Sequence, residues 1–172
     1  YHRFFEILNY DCCKDYNSIE EYLKASVAAG KISEEYAGLI NLKRFEEFLQ
    51  TDLGKRMGSA YKKGLLFREQ PFIMELGADM IDKEYPSDEK ILVQGIVDAF
   101  FFEDDKVYIV DYKTDRVEQG KAGEKALVER YHKQLELYAD TISRVTGKET
   151  GGCYIYSTCL KKEILIESPS YT

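Results

Sequence analysis

The stretch GIVDAFFFEDDKVYIVDYKTD, from Gly95 to Asp115, decides the fold that we predict. It has the pattern of two apolar strands joined by an acidic turn, and the other elements are arranged around this hairpin. Asp98 lies inside the first strand, and Asp111 and Lys113 lie inside the second. Because burying an unpaired charge costs free energy, three ionisable residues inside apolar strands require an explanation.

The position of the turn predicts how these three residues meet. A turn centred on Asp104 and Asp105 would place Asp98 directly opposite Asp111, and Lys113 would share their face of the sheet. Two carboxylates at so short a distance repel each other, and a divalent cation such as Mg²⁺ would remove the repulsion. A buried salt bridge between Lys113 and one or both aspartates is the alternative.

A metal at this position would predict phosphoryl chemistry. A bound cation can polarise a phosphoryl oxygen and lower the pKa of a water. Lys113 could then orient or deprotonate that water, or stabilise charge on the phosphate.

Composition limits the class of protein. The chain has 172 residues, enough for one domain, and no apolar run approaches the roughly 20 residues of a membrane span. Its net charge of −7 argues against a stand-alone nucleic-acid binder. It argues less against a metal-dependent enzyme, or against a chain to which other domains deliver the polymer. The spacing of the four cysteines does not match a zinc site, so we expect reduced thiols.

The first sixty or so residues have apolar side chains at helical spacing. In "NSIEEYLKASVAAGK", Ser18 lies three residues before Glu21, as in a capping box, and Gly30 is a stop signal. A further helix is expected after Ser33, in "SEEYAGLINLKRFEEFLQTD", and a short one from about Leu53 to Lys62.

Strand patterns begin after Gly64. "LLFREQPFIMEL" predicts a strand in which Pro71 indicates a sheet edge or a bulge, and "ADMIDKEYPSDEK" predicts a polar connection to the hairpin. A long helix from about Glu124 to Val145 follows, and Gly147 lies just beyond its end. "GGCYIYST" and "KKEILIES" predict two final strands. The order predicts an α/β layer behind a helical N-terminal segment.

The motifs together resemble a known family. Asp98 in "GIVD", Asp111 and Lys113 in "VDYK", and Gln134 and Tyr138 in "QLELY" resemble the PD-(D/E)xK nuclease superfamily. The resemblance is to its RecB-like branch, most closely to the C-terminal nuclease domain of the AddA subunit in AddAB-type helicase–nucleases. It implies a restriction-endonuclease-like core, an α/β fold with a central mixed sheet and a long flanking helix.

The same resemblance implies a domain organisation. We expect one nuclease domain over residues 1–172, with a helical part at 1–63 and an α/β core at 64–172. Because the sequence starts at Tyr1 in the middle of a helical pattern, we expect a fragment of a longer chain.

The resemblance also implies roles in the centre of the site. Asp98 and Asp111 would be metal ligands, with the backbone carbonyl of Tyr112 completing the shell. Lys113 would be the catalytic lysine. Two helix residues would face the site and position DNA or the lysine, namely Gln134 and Tyr138. As alternatives, Gln134 would be a buried amide that caps backbone groups, and Tyr138 would be one more core aromatic.

Further roles are implied at the periphery. His2 would be an additional metal ligand, and Glu69 would support the site, although "REQP" could equally be an edge-strand charge. Arg116, Lys121 and Lys125 could contact backbone phosphates or belong to a solvated loop. The expected cofactor is Mg²⁺, with Mn²⁺ as a substitute. Since the late cysteine trio of the iron–sulfur relatives is missing, we expect no cluster.

These expectations lead to a functional hypothesis. The chain would be the Mg²⁺-dependent DNA exonuclease domain of an ATP-dependent helicase–nuclease in double-strand break repair and recombination, acting mainly on single-stranded DNA. Its partners would be DNA, a helicase domain of the same chain and a second subunit, in a bacterial cytoplasm and without a membrane. The alternatives are a self-contained exonuclease and a catalytically silent module that guides DNA.

Overall fold

The computed structural model describes residues 1–77, 86 and 88–166. The helices that precede the first strand are α1 (His2–Ile7), α2 (Tyr16–Ala28), α3 (Glu34–Gly38), α4 (Leu42–Gln50) and α5 (Asp52–Lys62). The later elements are β1 (Leu66–Gly77), β2 (Lys90–Glu103), β3 (Lys106–Lys113), α6 (Lys121–Thr146), β4 (Thr150–Ser157) and β5 (Lys162–Ile166). Most of the predicted polar connection after β1, and the last two residues of the final predicted strand, lie outside the described residues.

The strands form one sheet in the order β1-β2-β3-β4-β5. Neighbouring strands are antiparallel except for β3 and β4, which are parallel because α6 carries the chain back between them. This mixed sheet with a long flanking helix confirms the predicted α/β fold. The predicted edge position of Pro71 is also confirmed, since β1 is the first strand of the sheet.

Two details of the helical segment were predicted wrongly. The cap of α2 is Asp15, whose Oδ1 accepts the backbone N–H of Ser18 while its own backbone N–H donates to Oγ of Ser18, so Glu21 takes no part. The pattern after Ser33 gives two helices, because the Asn41 side chain accepts the Lys43 N–H and starts α4 anew. Asx and Ser side chains compete for nearby N–H groups, and periodicity alone does not show which one prevails.

Both faces of the sheet are covered. On one face, apolar side chains of the N-terminal helices pack against Ala99, Phe101 and Tyr112. On the other face, α6 packs its apolar stripe against the sheet, including Ile109 and Ile155. Within the described part of the chain, no helix is long and apolar enough to cross a membrane.

Phe5 joins α1 to the sheet at Tyr112, near the end of β3. Its ring is fully buried and stacks on the ring of Tyr112, with centroids 3.9 Å apart. We expect Phe5→Ala to lower the free energy of unfolding by about 3–5 kcal/mol, because it leaves a cavity at this contact. Urea unfolding measures the loss, with the exposed Tyr36 (Tyr36→Ala) as control. Equal stabilities of the two variants would contradict the prediction.

Candidate active site

The β2–β3 hairpin has the register that the sequence predicts. Ladder pairs run from Glu103–Lys106 to Ala99–Val110, so the turn is centred on Asp104 and Asp105. The ladder stops one pair short of Asp98 and Asp111. At that point Oδ2 of Asp98 accepts the backbone N–H of Tyr112 at 2.9 Å, so a side chain takes the place of a ladder bond. The carboxylate of Asp98 is thereby fixed at the end of the hairpin.

Asp111 is a carboxylate with almost no exposure to solvent. Its side chain is 2% exposed, and Oδ2 lies 2.7 Å from Nζ of Lys113. This contact is a short, buried ion pair, and Lys113 is the cation closest to that oxygen among the described ion pairs. Burial raises the pKa of the Asp111 carboxyl to about 6, against the lowering effect of the Lys113 ammonium, and the Asp98 carboxylate raises it further. The lysine therefore compensates Asp111 only in part.

A polar network extends from Lys113 to α6. Nζ of Lys113 donates to Oε1 of Gln134 at 3.2 Å, and Nε2 of Gln134 donates to the hydroxyl of Tyr138 at 2.8 Å. Since the two α6 residues lie four positions apart, they share one helix face. The structure thus brings together Asp98, Asp111, Lys113, Gln134 and Tyr138 at the end of β3.

His2 reaches the same place from α1. Its Nε2 lies 2.7 Å from the carbonyl oxygen of Tyr112 and 3.5 Å from Oδ2 of Asp98. The stacking of Phe5 on Tyr112 holds the α1 backbone here. Three potential metal ligands, an imidazole nitrogen, a carbonyl oxygen and a carboxylate oxygen, therefore converge from two distant parts of the chain.

Glu69 lies on β1, next to Asp98 of the neighbouring strand β2. It falls between the ladder pairs Arg68–Ala99 and Gln70–Val97, with a backbone φ of 50° that a non-glycine residue seldom adopts. Partial burial raises the pKa of its carboxyl, and the neighbouring Asp98 carboxylate raises it further. Glu69 is thus a member of the acidic group at the site.

The three basic residues expected to meet DNA lie further out. Arg116 is exposed in the loop after β3, and Lys121 and Lys125 are exposed at the start of α6. Lys121 and Lys125 precede Gln134 by about 20 and about 14 Å along the helix axis, at 1.5 Å per residue. The structure does not bring these two lysines into the central cluster, and their contact with phosphate stays a prediction.

The residues present fit a hard divalent cation with an open shell. Across residues 1–77, 86 and 88–166, no three histidine, cysteine or acidic side chains converge as a ready metal cage. Mg²⁺ needs no such cage, because it keeps several waters and is usually held by one or two carboxylates together with substrate oxygens. The carboxylates of Asp111 and Asp98 and the Tyr112 carbonyl are hard oxygen donors of the kind that such a cation takes.

Sequence reasoning missed the surroundings of the lysine. Nζ of Lys113 lies 3.9 Å from the ring centroid of Tyr131, a cation–π contact. The Tyr131 hydroxyl donates to Asp115 at 2.8 Å, and Arg130 pairs with the same carboxylate at 2.7 Å. The available signal was helical spacing, since Tyr131 precedes Gln134 by three positions and so shares its helix face.

The four thiols lie apart from this site. All are free; Cys12 is exposed, Cys13 and Cys153 are buried, and Cys159 is half-buried. The expectation that no iron–sulfur cluster is bound stays a prediction.

The sheet carries Asp-x-Lys at a strand end, a second aspartate on the adjacent strand and a glutamine–tyrosine helix face, and this combination defines a class of nucleases. Residues 2–169 match the PD-(D/E)XK nuclease superfamily, and the chain belongs to that superfamily.

Relatives carry a more specific name. The chain is 40% identical over 152 residues to the A subunit of the ATP-dependent helicase/nuclease of Clostridium perfringens (strain SM101 / Type A), a match that covers 86% of this chain and 12% of that protein. Proteins of the same name match at 30% over 201 residues in Lachnoclostridium phytofermentans (98% and 14%) and at 40% over 141 residues in Thermoanaerobacter sp. (strain X514) (80% and 11%). The chain therefore spans a small part of the length of these relatives.

Proposed function

We propose that this chain is the Mg²⁺-dependent DNA nuclease domain of a helicase–nuclease that acts in double-strand break repair and recombination. It hydrolyses phosphodiester bonds of single-stranded DNA, as an exonuclease, and Mn²⁺ substitutes for Mg²⁺. The DNA is delivered by a helicase domain of the same chain and by a second subunit, in a bacterial cytoplasm. The names of the relatives support the link to a helicase.

The observation that carries this proposal is the state of Asp111. A carboxylate that is 2% exposed, pairs with a single lysine and lies near the Asp98 carboxylate is unfavourable in the protein alone. A divalent cation would compensate it. A lysine within 2.7 Å completes the set of charges that phosphoryl transfer requires.

Asp98, Asp111, the Tyr112 carbonyl and His2 would hold the metal. When bound, Mg²⁺ supplies Lewis acidity toward a phosphoryl oxygen and lowers the pKa of a water. Side chains beside these ligands position the substrate and balance its charge.

Lys113 stabilises negative charge on the phosphate during attack. Its ammonium is attracted by Asp111 on one side and by the Tyr131 ring on another, and both contacts favour a cation at this position. Gln134 accepts a hydrogen bond from Nζ and so sets the direction of the ammonium, while Tyr138 fixes the rotamer of Gln134. Positioning of this kind matters because misplacement by about 1 Å can cost 10²-fold in rate.

Cleavage of labelled single-stranded DNA tests the proposal. The protein is assayed with Mg²⁺, Mn²⁺ or EDTA, alone and with the helicase portion and partner subunit added. We expect metal-dependent cutting that is lost in Asp111→Ala and Lys113→Ala.

The controls separate the alternatives. Cutting without any partner favours a self-contained exonuclease. Absence of cutting with all partners present, by a folded wild type that shows no Mg²⁺ binding in calorimetry, contradicts the proposal and favours a silent module.

His2 offers a test of the ligand set. We expect His2→Ala to weaken Mn²⁺ affinity by about 10-fold, because it removes one contact around the Tyr112 carbonyl and Asp98. Isothermal titration calorimetry measures the affinity. Arg3→Ala is the matched control, since Arg3 is on the same helix and pairs with Glu6 instead. Unchanged affinity in His2→Ala would remove His2 from the ligand set.

A further inference from the structure

A groove runs beside the catalytic cluster, between the distal half of the β1–β2 ribbon and α6. Its volume is about 540 Å³, within the range of small-molecule sites. Phe72, Leu76, Val93 and Leu137 form apolar walls. Because Gln134 and Tyr138 also line it, the groove opens onto the residues that hold Lys113.

Gly95 keeps the groove open. A Cβ atom at this position would lie 2.8 Å from the ring of Phe72, which pairs across the strands with Gly95. The ring of Phe72 can lie over the strand only because no side chain is present there. It meets the ring of Tyr138 edge-on, with centroids 5.6 Å apart, so the groove has flat aromatic walls next to the site.

One wall also includes a carboxylate. Asp140 lines the groove, and its Oδ1 accepts a hydrogen bond from Nε of Arg144 at 2.8 Å. Its Oδ2 is buried and has no hydrogen-bond partner. That oxygen is closed to solvent, so a ligand in the groove would meet the aromatic rings and not this acceptor.

We propose that this groove is a nucleobase subsite, which receives a base one or two nucleotides from the scissile phosphate. The inference rests on the proposed nuclease function. A DNA strand whose phosphate lies at Asp98, Asp111 and Lys113 has its neighbouring nucleotides within reach of Gln134 and Tyr138. Each of the four bases presents an apolar face to the aromatic walls, so the subsite holds the strand without reading its sequence.

Abasic substitution tests the subsite. Single-stranded oligonucleotides carry one abasic nucleotide at successive positions from the cleaved bond, and kcat/KM is measured for each with Mg²⁺. For the wild type we expect a loss of about 5- to 100-fold at one position near the cut, and little loss elsewhere.

Groove variants link that loss to this site. We expect Gly95→Val, which crowds Phe72, to lower kcat/KM on intact DNA and to show no further loss on the sensitive abasic substrate. Such non-additivity identifies the base and the groove as contacting partners. Phe72→Leu removes the aromatic ring with little change of volume and is a second variant should Gly95→Val unfold in circular dichroism. Ile73→Ser is the control, because Ile73 is the next residue in β1 and is 66% exposed.

The outcomes separate the two proposals. If the wild type with all its partners cuts no DNA, the nuclease function fails, and the subsite fails with it. If it cuts but the abasic scan is flat, or the groove variants keep the full abasic loss, the subsite is overturned while the nuclease function stands.

Discussion

Replacing Asp111 by Asn is expected to abolish cleavage and, at the same time, to make the metal-free protein more stable. The two effects share one cause, which is a buried carboxylate whose charge the proposed cation would compensate. Asn has nearly the same shape but no charge. The loss of a metal ligand should lower kcat by at least about 10³-fold, comparable to the loss of a strong electrostatic contact in an active site.

The direction of the stability change follows from the pKa of Asp111. Its folded value, about 6, lies above the value of an unfolded aspartate. A raised carboxyl pKa means that folding favours the protonated form, so its stabilisation is present at low pH and is lost as the pH rises through about 6. At neutral pH the charged Asp111 therefore costs the fold on the order of a few kcal/mol, at about 1.4 kcal/mol per pKa unit.

Thermal unfolding in EDTA at about pH 7.5, above the folded pKa of Asp111, measures the change in stability. We expect a higher Tm for Asp111→Asn than for wild type, and Asp11→Asn, an exposed acid, is the control. Added Mg²⁺ should raise the Tm of wild type but not of Asp111→Asn, because only a ligand that binds the folded state stabilises it. A lower Tm of Asp111→Asn in EDTA would show instead that the pair with Lys113 is a structural salt bridge.

The hairpin was predictable in detail because local rules determine it. A two-residue acidic turn and the period of two along each strand define the register, and the register places Asp98 and Asp111 at the same level. The α6 face was predictable for a similar reason, since spacing by four positions puts Gln134 and Tyr138 together.

Long-range contacts were beyond this kind of reasoning. His2 meets the carbonyl of Tyr112 across more than a hundred residues, and no local pattern indicates that contact. The resemblance alone linked His2 to the site, as an expected metal ligand. The ring of Tyr131 below Lys113 depends on how α6 lies across the sheet. At shorter range, the choice of Asp15 over Ser18 as cap depended on competition between neighbouring side chains.

Replacing Lys113 by Met is expected to lower the stability of the metal-free protein, whereas Asp111→Asn should raise it. Both substitutions should abolish or strongly reduce cleavage. Met keeps most of the side-chain volume but leaves Asp111 buried without a cation. Removing one partner of a buried ion pair typically costs about 3–5 kcal/mol, so the Tm in EDTA should fall. Without an ammonium to stabilise charge on the phosphate, kcat should fall by about 10²- to 10³-fold.

Metal binding distinguishes the two variants. Asp111→Asn should lose Mg²⁺ binding, whereas Lys113→Met keeps Asp98, Asp111 and the Tyr112 carbonyl. Mg²⁺ should therefore raise the Tm of Lys113→Met by more than that of wild type, because the metal then replaces the positive charge that Lys113 supplied beside Asp111. Lys43→Met, at an exposed site, controls for loss of a surface charge.

The pair of variants decides between the two interpretations of the buried charges. A structural salt bridge predicts that both substitutions lower the Tm in EDTA and that Mg²⁺ restores neither. A catalytic metal site predicts changes of opposite sign, with cleavage lost in both and Mg²⁺ stabilisation retained only in Lys113→Met. Since Asp111 is 2% exposed and Lys113 only 14%, salt in the solvent should screen their charges little, and both changes in Tm should be measurable.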